Sequence, residues 1–293
     1  MRSKHQEHKH REHKHREHKH KKKSFKFLLP TILIILVIGI FIFIKASTQH
    51  WNGHDKVGFA FAKDNGDVGV TVLDPNLGEM TTITIPGETE VDVARNYGTL
   101  RVKNVWQLSQ NEKLGGALLP ETVTQNFLFP ITLWKGPNST NIPFGDRLMI
   151  WFFTMKLKDL DKTEIDMGKS QFLRKEKLND GQVGYRLVGE ISGRLGVYFS
   201  DNDMVTKNTR VYIVDATSQA GVASQVGEII EVLGGKIVSV DRKQEAGDFD
   251  CEVLGVDKNI NKKVANLFSC KIINDKTDFD LEVRLGAKFA SRF

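Results

Sequence analysis

Residues 211–241, VYIVDATSQAGVASQVGEIIEVLGGKIVSVD, decide the fold of the last part of the chain, because they spell a strand, a helix and a second strand without interruption. The run 211–214 is β-branched and aromatic, as a buried strand requires. Val222, Val226, Ile229, Ile230 and Leu233 then recur at i, i+4, i+7, i+8 and i+11, which is one stripe of an amphipathic helix. Thr217 or Ser218 is placed to cap that helix, and Gly234-Gly235 to stop it before a strand over 236–240. The plan repeats downstream. A strand over 251–256 leads to a helix over 259–268, with Ile260, Val264, Leu267 and Phe268 on one side, and to a strand over 271–273. In a final strand Leu281, Val283 and Leu285 alternate against Glu282 and Arg284. Two such units predict a small β-α-β-β-α-β sandwich over 208–293, with its helices on one face.

Cys251 and Cys270, the only cysteines, each begin a strand of the second unit. Parallel neighbours ~4.8 Å apart leave the Cα atoms within the ~4.4–6.8 Å that a disulfide needs, if the registers match. The alternative is two buried thiols that never pair, since cysteine packs well as a small hydrophobe.

Working back, residues 57–207 interleave strands and helices, which predicts a mixed α/β domain. Strands are expected at 57–61, 68–73 and 80–85, the last two joined by the turn Asp74-Pro75-Asn76-Leu77-Gly78. Helices are expected at 103–109 and at 116–127, where Pro120 belongs in the first turn, and a strand at 131–134. An apolar helix over 144–155 precedes strands at 164–167 and 183–188. Its segment Leu148 to Phe153, LMIWFF, reads as a helix buried in the core; a groove for a lipid chain is the other reading. Asp159, Asp161, Glu164 and Asp166 alternate with lysines and read as a solvated face, not a metal cluster.

Further back, the composition changes. Residues 27–44, FLLPTILIILVIGIFIFI, are 18 positions without a charge. At ~1.5 Å per residue they reach ~27 Å, enough to cross a bilayer's hydrocarbon core. Residues 1–26 hold eleven Lys or Arg against three Glu, a charge of +8, whereas beyond Ala46 the 30 basic and 33 acidic residues give −3. This asymmetry predicts a single-pass anchor at 27–45 with a cytoplasmic N-terminus, a linker at 46–56 and an extracytoplasmic bulk. A cleaved signal peptide is the rival, but Ala46-Ser47-Thr48 makes a poor cleavage site. The mildly acidic bulk also lacks the basic footprint of a nucleic-acid-binding domain. In the tail, a five-residue repeat sets His8 two positions from His10, His13 from His15, and His18 from His20. Imidazoles repeated this closely can bind Zn²⁺, Ni²⁺ or Cu²⁺, although the neighbouring cations oppose metal and favour a solvated segment near anionic lipid.

The run VGVTVLDPNLGEMTTITIPGETEVDV, followed by YGTLRVKNVWQL and GGALLPETVTQNFLFPI, resembles the first half of the LytR-CpsA-Psr family. That resemblance implies a membrane-anchored protein of the bacterial cell envelope that transfers glycopolymers from a polyprenyl-pyrophosphate carrier to the cell wall. The stretch from Val211 with the closing DLEVRLGAKF resembles the LytR C-terminal domain, with Asp215-Ala216-Thr217-Ser218 in place of its Asn-Gly-Thr-Gly turn. The departures bear on chemistry. The family's Ile-Pro-Arg-Asp-Thr element is Ile85-Pro86-Gly87-Glu88-Thr89 here, so the arginine that would hold pyrophosphate is a glycine, and the later arginine-rich segment is missing between 138 and 207. Asp67 lies near the expected metal-binding aspartate, and Lys103-Asn104 resembles the family's Lys-Ile-Asn element. Asp67, Arg95, Arg101 and Lys103 are the candidate ligand contacts.

Every histidine lies at or before His54, so the bulk has no imidazole for a Ser-His-Asp or Cys-His site, and no Walker or Rossmann phosphate loop is present. The expectation is therefore an envelope protein that has kept the scaffold without the catalysis and needs no cofactor. It would bind a cell-wall polymer, a polyprenyl-phosphate carrier or an envelope partner. An active transferase, which would need Mg²⁺, and a wall tether acting through the last domain are the alternatives.

Overall fold

The computed structural model describes residues 51–189 and 191–293, together with Ile34, Ile38 and Gly39. The metal-binding expectation for the tail, at His8, His10, His13, His15, His18 and His20, lies outside the described residues, and so does nearly all of the apolar run at 27–44. Among the described residues, no helix is long and apolar enough to cross a membrane. Residues 51–293 belong to one compact unit built on two five-stranded sheets.

The first sheet starts with an antiparallel meander of β1 (Val57–Ala62), β2 (Val68–Asp74) and β3 (Glu79–Ile85). Its second turn forms because Asp74 Oδ1 accepts the Asn76 and Leu77 N–H groups at 3.0 and 3.2 Å, and Gly78 supplies the left-handed residue (φ 69°). All of β2 but Asp74 is buried, because neighbours cover it on both sides and both faces. A small hairpin, β4 (Glu90–Val93) and β5 (Gly98–Arg101), leads into α1 (Val102–Asn111) and α2 (Leu118–Phe127), with Pro120 in the first turn of α2. Next come β6 (Leu133–Lys135), α3 (Phe144–Lys156) and β7 (Lys162–Asp166). β6 lies parallel to β1 and β7 parallel to β3, giving the order β6-β1-β2-β3-β7. A second hairpin, β8 (Leu173–Lys177) and β9 (Val183–Leu187), is followed by the short α4 (Ser192–Leu195) and α5 (Asn202–Thr206).

The second sheet holds β10 (Arg210–Ala216), α6 (Val222–Val232), β11 (Lys236–Arg242), β12 (Cys251–Gly255), α7 (Lys258–Phe268), β13 (Lys271–Ile272), β14 (Leu281–Gly286) and α8 (Ala287–Arg292). Its order is β11-β10-β14-β12-β13, and only the β12/β14 pair is antiparallel. Val211, Ile213, Val253 and Val283 share one core with Val226, Ile229, Ile230, Ile260, Val264 and Phe289, so the helices cover one face of this sheet. Parallel pairing of Glu252 with Lys271 sets Cys251 and Cys270 side by side, Cα atoms 4.8 Å apart, and their sulfurs are bonded. The core of the first sheet takes residues up to Phe199 and also Val232 from α6, while that of the second begins at Met204.

Three expectations are corrected. The strand expected at 131–134 is Leu133–Lys135, because the Ile131 N–H turns back to the Phe129 carbonyl at 2.8 Å. α6 is not capped by Thr217 or Ser218. The Thr217 hydroxyl donates to Asp215 Oδ1 at 2.6 Å and accepts the Gln219 N–H at 3.2 Å, which spends it in its own turn, and the helix starts after Gly221 (φ 90°). The third concerns LMIWFF. Met149, Ile150 and Phe153 do pack on the Trp51, Leu73 and Leu133 cluster, but Trp151 and Phe152 are 52% and 51% exposed, so α3 is not a core helix.

Candidate functional site

Asp67, Arg101 and Lys103 come together where β3 ends in Pro86-Gly87-Glu88-Thr89 and α1 begins. The loop between β1 and β2 folds over this corner. Asp67 Oδ1 accepts the Gly87 N–H at 2.8 Å, and its Oδ2 accepts the Asn65 amide at 2.7 Å, so both oxygens serve the loop itself. A Cβ at Gly87 would lie 2.5 Å from the Gly66 carbonyl oxygen. Position 87 therefore has room only for glycine while this loop keeps its path.

The start of α1 is closed in the same way. A free helix N-terminus would offer its N–H groups to an anion. Here the Val102 N–H donates to the Thr89 carbonyl at 2.8 Å and the Lys103 N–H to the Gly87 carbonyl at 3.2 Å.

Arg101 is 8% exposed and its guanidinium is fully engaged. It holds Asp180 through Nε and Nη2, at 2.7 Å for the shortest contact, and Glu88 Oε2 through Nη1 at 3.1 Å. Nη1 also reaches the carbonyls of Glu88 at 3.0 Å and Val183 at 3.4 Å. Hydrogen bonding from Arg101, helped by the Gln182 N–H, holds the Asp180 carboxyl below the usual aspartate range. Lys103 donates to the other oxygen of Glu88, and Lys63 donates to the Thr84 hydroxyl at 2.8 Å. Gly184 makes room for this packing, since a Cβ there would fall 2.1 Å from Arg101 Nη1.

Arg95 is elsewhere. It occupies the turn of the β4–β5 hairpin in the left-handed region (φ 62°), about 10 Å along the strands from Arg101. It grips Glu121 with two parallel bonds of 2.7 and 2.6 Å, and the hydrogen bond to Glu121 raises its already high pKa. The recess beside it, about 130 Å³, is also lined by Arg292, which is bound to Asp250 at 2.9 Å and to the Phe268 carbonyl at 2.8 Å.

Two wider recesses follow the same rule. One of about 430 Å³ contains Lys263, whose ammonium bridges Asp55 at 2.7 Å and Asp201 at 2.5 Å. Another of about 620 Å³ is rich in amides, but these tie the two sheets together: Asn96 donates to the Ser291 carbonyl at 2.9 Å, Gln225 to the Gln125 carbonyl at 2.8 Å, and Gln125 to the Phe293 carbonyl. Among the described residues, no three His, Cys, Asp or Glu side chains are grouped as a metal site; His8, His10, His13, His15, His18 and His20 are not among them. The lysine-rich acidic stretch behaves as a solvated surface, with Asp159 paired to Lys162 at 2.9 Å.

Sequence reading missed Asp180 and Gly184, because it missed β8 and with it the β8–β9 hairpin. The signal was present in the turn sequence Asn179-Asp180-Gly181.

No protein-family model matches the sequence, and no curated protein matches it. Among solved structures, the chain is similar to one described as the transcriptional regulator yvhJ from Bacillus subtilis, with a TM-score of 0.38 and 11% identity over 51% of this chain and 99% of that one. It is also similar to B. subtilis TagV, at a TM-score of 0.23 and 12% identity over 75% of this chain and 100% of that one. The third is a LytR-CPS2A-psr family protein, YwtF (TagT), with bound octaprenyl pyrophosphate lipid, at 0.25 and 8% over 75% of this chain and 94% of that one. Similarity at this level establishes neither a common activity nor a common ligand.

Proposed function

We propose that this protein is a membrane-anchored, extracytoplasmic cell-envelope protein that binds a cell-wall polymer, a polyprenyl-phosphate carrier or an envelope partner and does not catalyse transfer. The observation that carries this reading is the state of Arg101, whose guanidinium is filled by Glu88 and Asp180. Phosphoryl transfer relies on fixed positive donors aimed at developing negative charge. A pyrophosphate at this corner would have to displace two carboxylates and then lie beside them. Gly87 is barred from carrying a side chain, the Val102 and Lys103 N–H groups are already bonded, and the Lys103 ammonium is paired with Glu88, so little donor capacity is left to repay that repulsion.

The anchored, outward-facing arrangement is supported by the charge asymmetry around residues 27–44 and by the Cys251–Cys270 bridge, which suits an oxidising compartment. No cofactor enters this reading. Mg²⁺ belongs only to the transferase alternative.

The test uses the purified full chain with Mg²⁺ and a polyprenyl-pyrophosphate-linked glycan. No release of polyprenyl phosphate above background is expected. Turnover that disappears in Lys103→Ala or Asp67→Asn would overturn the non-catalytic reading and establish the transferase.

A further inference from the structure

We infer that α3 is a membrane-docking helix, its outer stripe resting in the interface of the lipid bilayer that carries the anchor. The helix has two apolar sides. Met149, Ile150 and Phe153 face the Trp51, Leu73 and Leu133 cluster. On the other side Phe144, Leu148, Trp151, Phe152 and Met155 follow at i, i+4, i+7, i+8 and i+11, and four of these five are more than half exposed. Leu160, just beyond the helix, is 95% exposed. A contiguous strip of this kind, centred on an edge-to-face Trp151–Phe152 pair with centroids 4.9 Å apart, marks a surface that is covered by something.

Three observations select lipid as the cover. The first is residue type. Trp and Phe with flanking cations are what a helix lying in a headgroup region presents, and here Arg147, Lys156 and Lys158 are exposed along the strip. The nearby Asp159 is paired with Lys162 at 2.9 Å. The second is the packing of Trp51, which is 4% exposed and meets Phe153 edge-on, with centroids 6.1 Å apart, so residue 51 lies against α3. The third is the length of the connection. Only residues 45–50 separate the apolar run from Trp51, a span of at most ~25 Å when fully extended. On the anchored reading proposed above, on which this inference rests, so short a tether keeps α3 within reach of the outer leaflet, where burying Trp151, Phe152 and Met155 becomes an intramolecular event.

The full chain, reconstituted into phosphatidylglycerol-containing vesicles whose acyl chains are brominated or not, tests this. The emission difference between the wild type and Trp151→Phe isolates Trp151 from the other three tryptophans. Docking predicts that brominated lipid quenches this component by about twofold or more. It also predicts that Phe152→Ser with Met155→Ser, at a surface position that leaves folding intact by circular dichroism, reduces the quenching. Equal emission in the two lipids overturns the docking, and so does cross-linking of the Trp151→Cys variant to a second copy in vesicles. An alkaline carbonate wash separates this inference from the anchor. Protein that stays in the membrane with Trp151 unquenched leaves the anchor standing and removes the docking; protein that washes out after Trp151 was quenched removes the anchor and leaves the docking.

Discussion

α3 and α6 have similar apolar content and opposite fates. α6 concentrates its apolar residues on one stripe, and Val226, Ile229 and Ile230 are completely buried on the second sheet. α3 is apolar almost all round, and only Gly145 and Asp146 are buried. A helix can press only one side onto a sheet, so a second stripe is left outside unless another layer covers it. Hydrophobicity alone therefore said less about burial than periodicity did.

The sharpest way to break this contrast is to cut the same kind of side chain from each helix. Ile230→Ala in α6 should cost about 4 kcal/mol by opening a cavity that its fully packed surroundings cannot close, measured as the loss in urea midpoint at constant slope. A loss near zero would mean that α6 is not held as described.

The sheet beneath α6 also depends on its covalent tie. Cys251→Ala together with Cys270→Ala should lower stability by about 3 kcal/mol, the value for a loop of this length in the chain-entropy model. Reductant should bring the wild type to the level of the variant, and two alkylated thiols before any reductant would show that the bridge does not form.

The first sheet lacks such a tie and relies on the charged corner. Arg101→Met should cost about 2 kcal/mol, less than the ~3–5 kcal/mol of a fully buried broken pair, because Glu88 and Asp180 are half exposed and water takes over part of their solvation. Asp180, whose pKa is depressed, contributes above its unfolded value of 3.8 and loses that contribution as the pH falls through its lower folded value. The variant should therefore lack one component of acid destabilisation below about pH 4.

The counterpart change in α3, Phe152→Ser, should alter the stability of the protein in solution by less than about 0.5 kcal/mol, since its ring already faces water. A large loss would return α3 to the core.

The smallest effect is at Lys263, where α7 meets Asp55 and Asp201. Burial lowers its pKa, but the hydrogen bonds of Asp201 and Asp55 outweigh this and leave it above 10.5. Its contribution is thus complete below the ordinary lysine value and fades as the pH rises through the raised one. Lys263→Met should flatten the stability profile at alkaline pH, and a profile unchanged from the wild type would count against the bridge.

Much of the architecture was legible because its signals are local. The alternation in Leu281, Val283 and Leu285, the stripe from Val222 to Ile230 and the turn Asp74 to Gly78 each act within a few residues, where the chain's own geometry determines which side is apolar. The β4–β5 and β8–β9 hairpins were less legible, since strands of four or five residues with charged faces have little periodicity to read. Of the candidate ligand contacts, Asp67, Arg101 and Lys103 lie at one corner and Arg95 lies elsewhere, and their partners were invisible. Asp180 stands 79 positions from Arg101, and no local pattern announces a contact at that separation.

By itself, the sequence determined the element types, the pairing of β-α-β units, the charge asymmetry about the apolar run and the absence of imidazole from the bulk of the chain. These follow from covalent order and side-chain chemistry. Only the tertiary structure decided that Arg101 is already satisfied by Glu88 and Asp180, that Gly87 has no space for a side chain, and that Trp151, Phe152 and Met155 of α3 stay more than half exposed. Each of those depends on what distant segments bring to within about 3–4 Å, where hydrogen bonds and steric exclusion take effect.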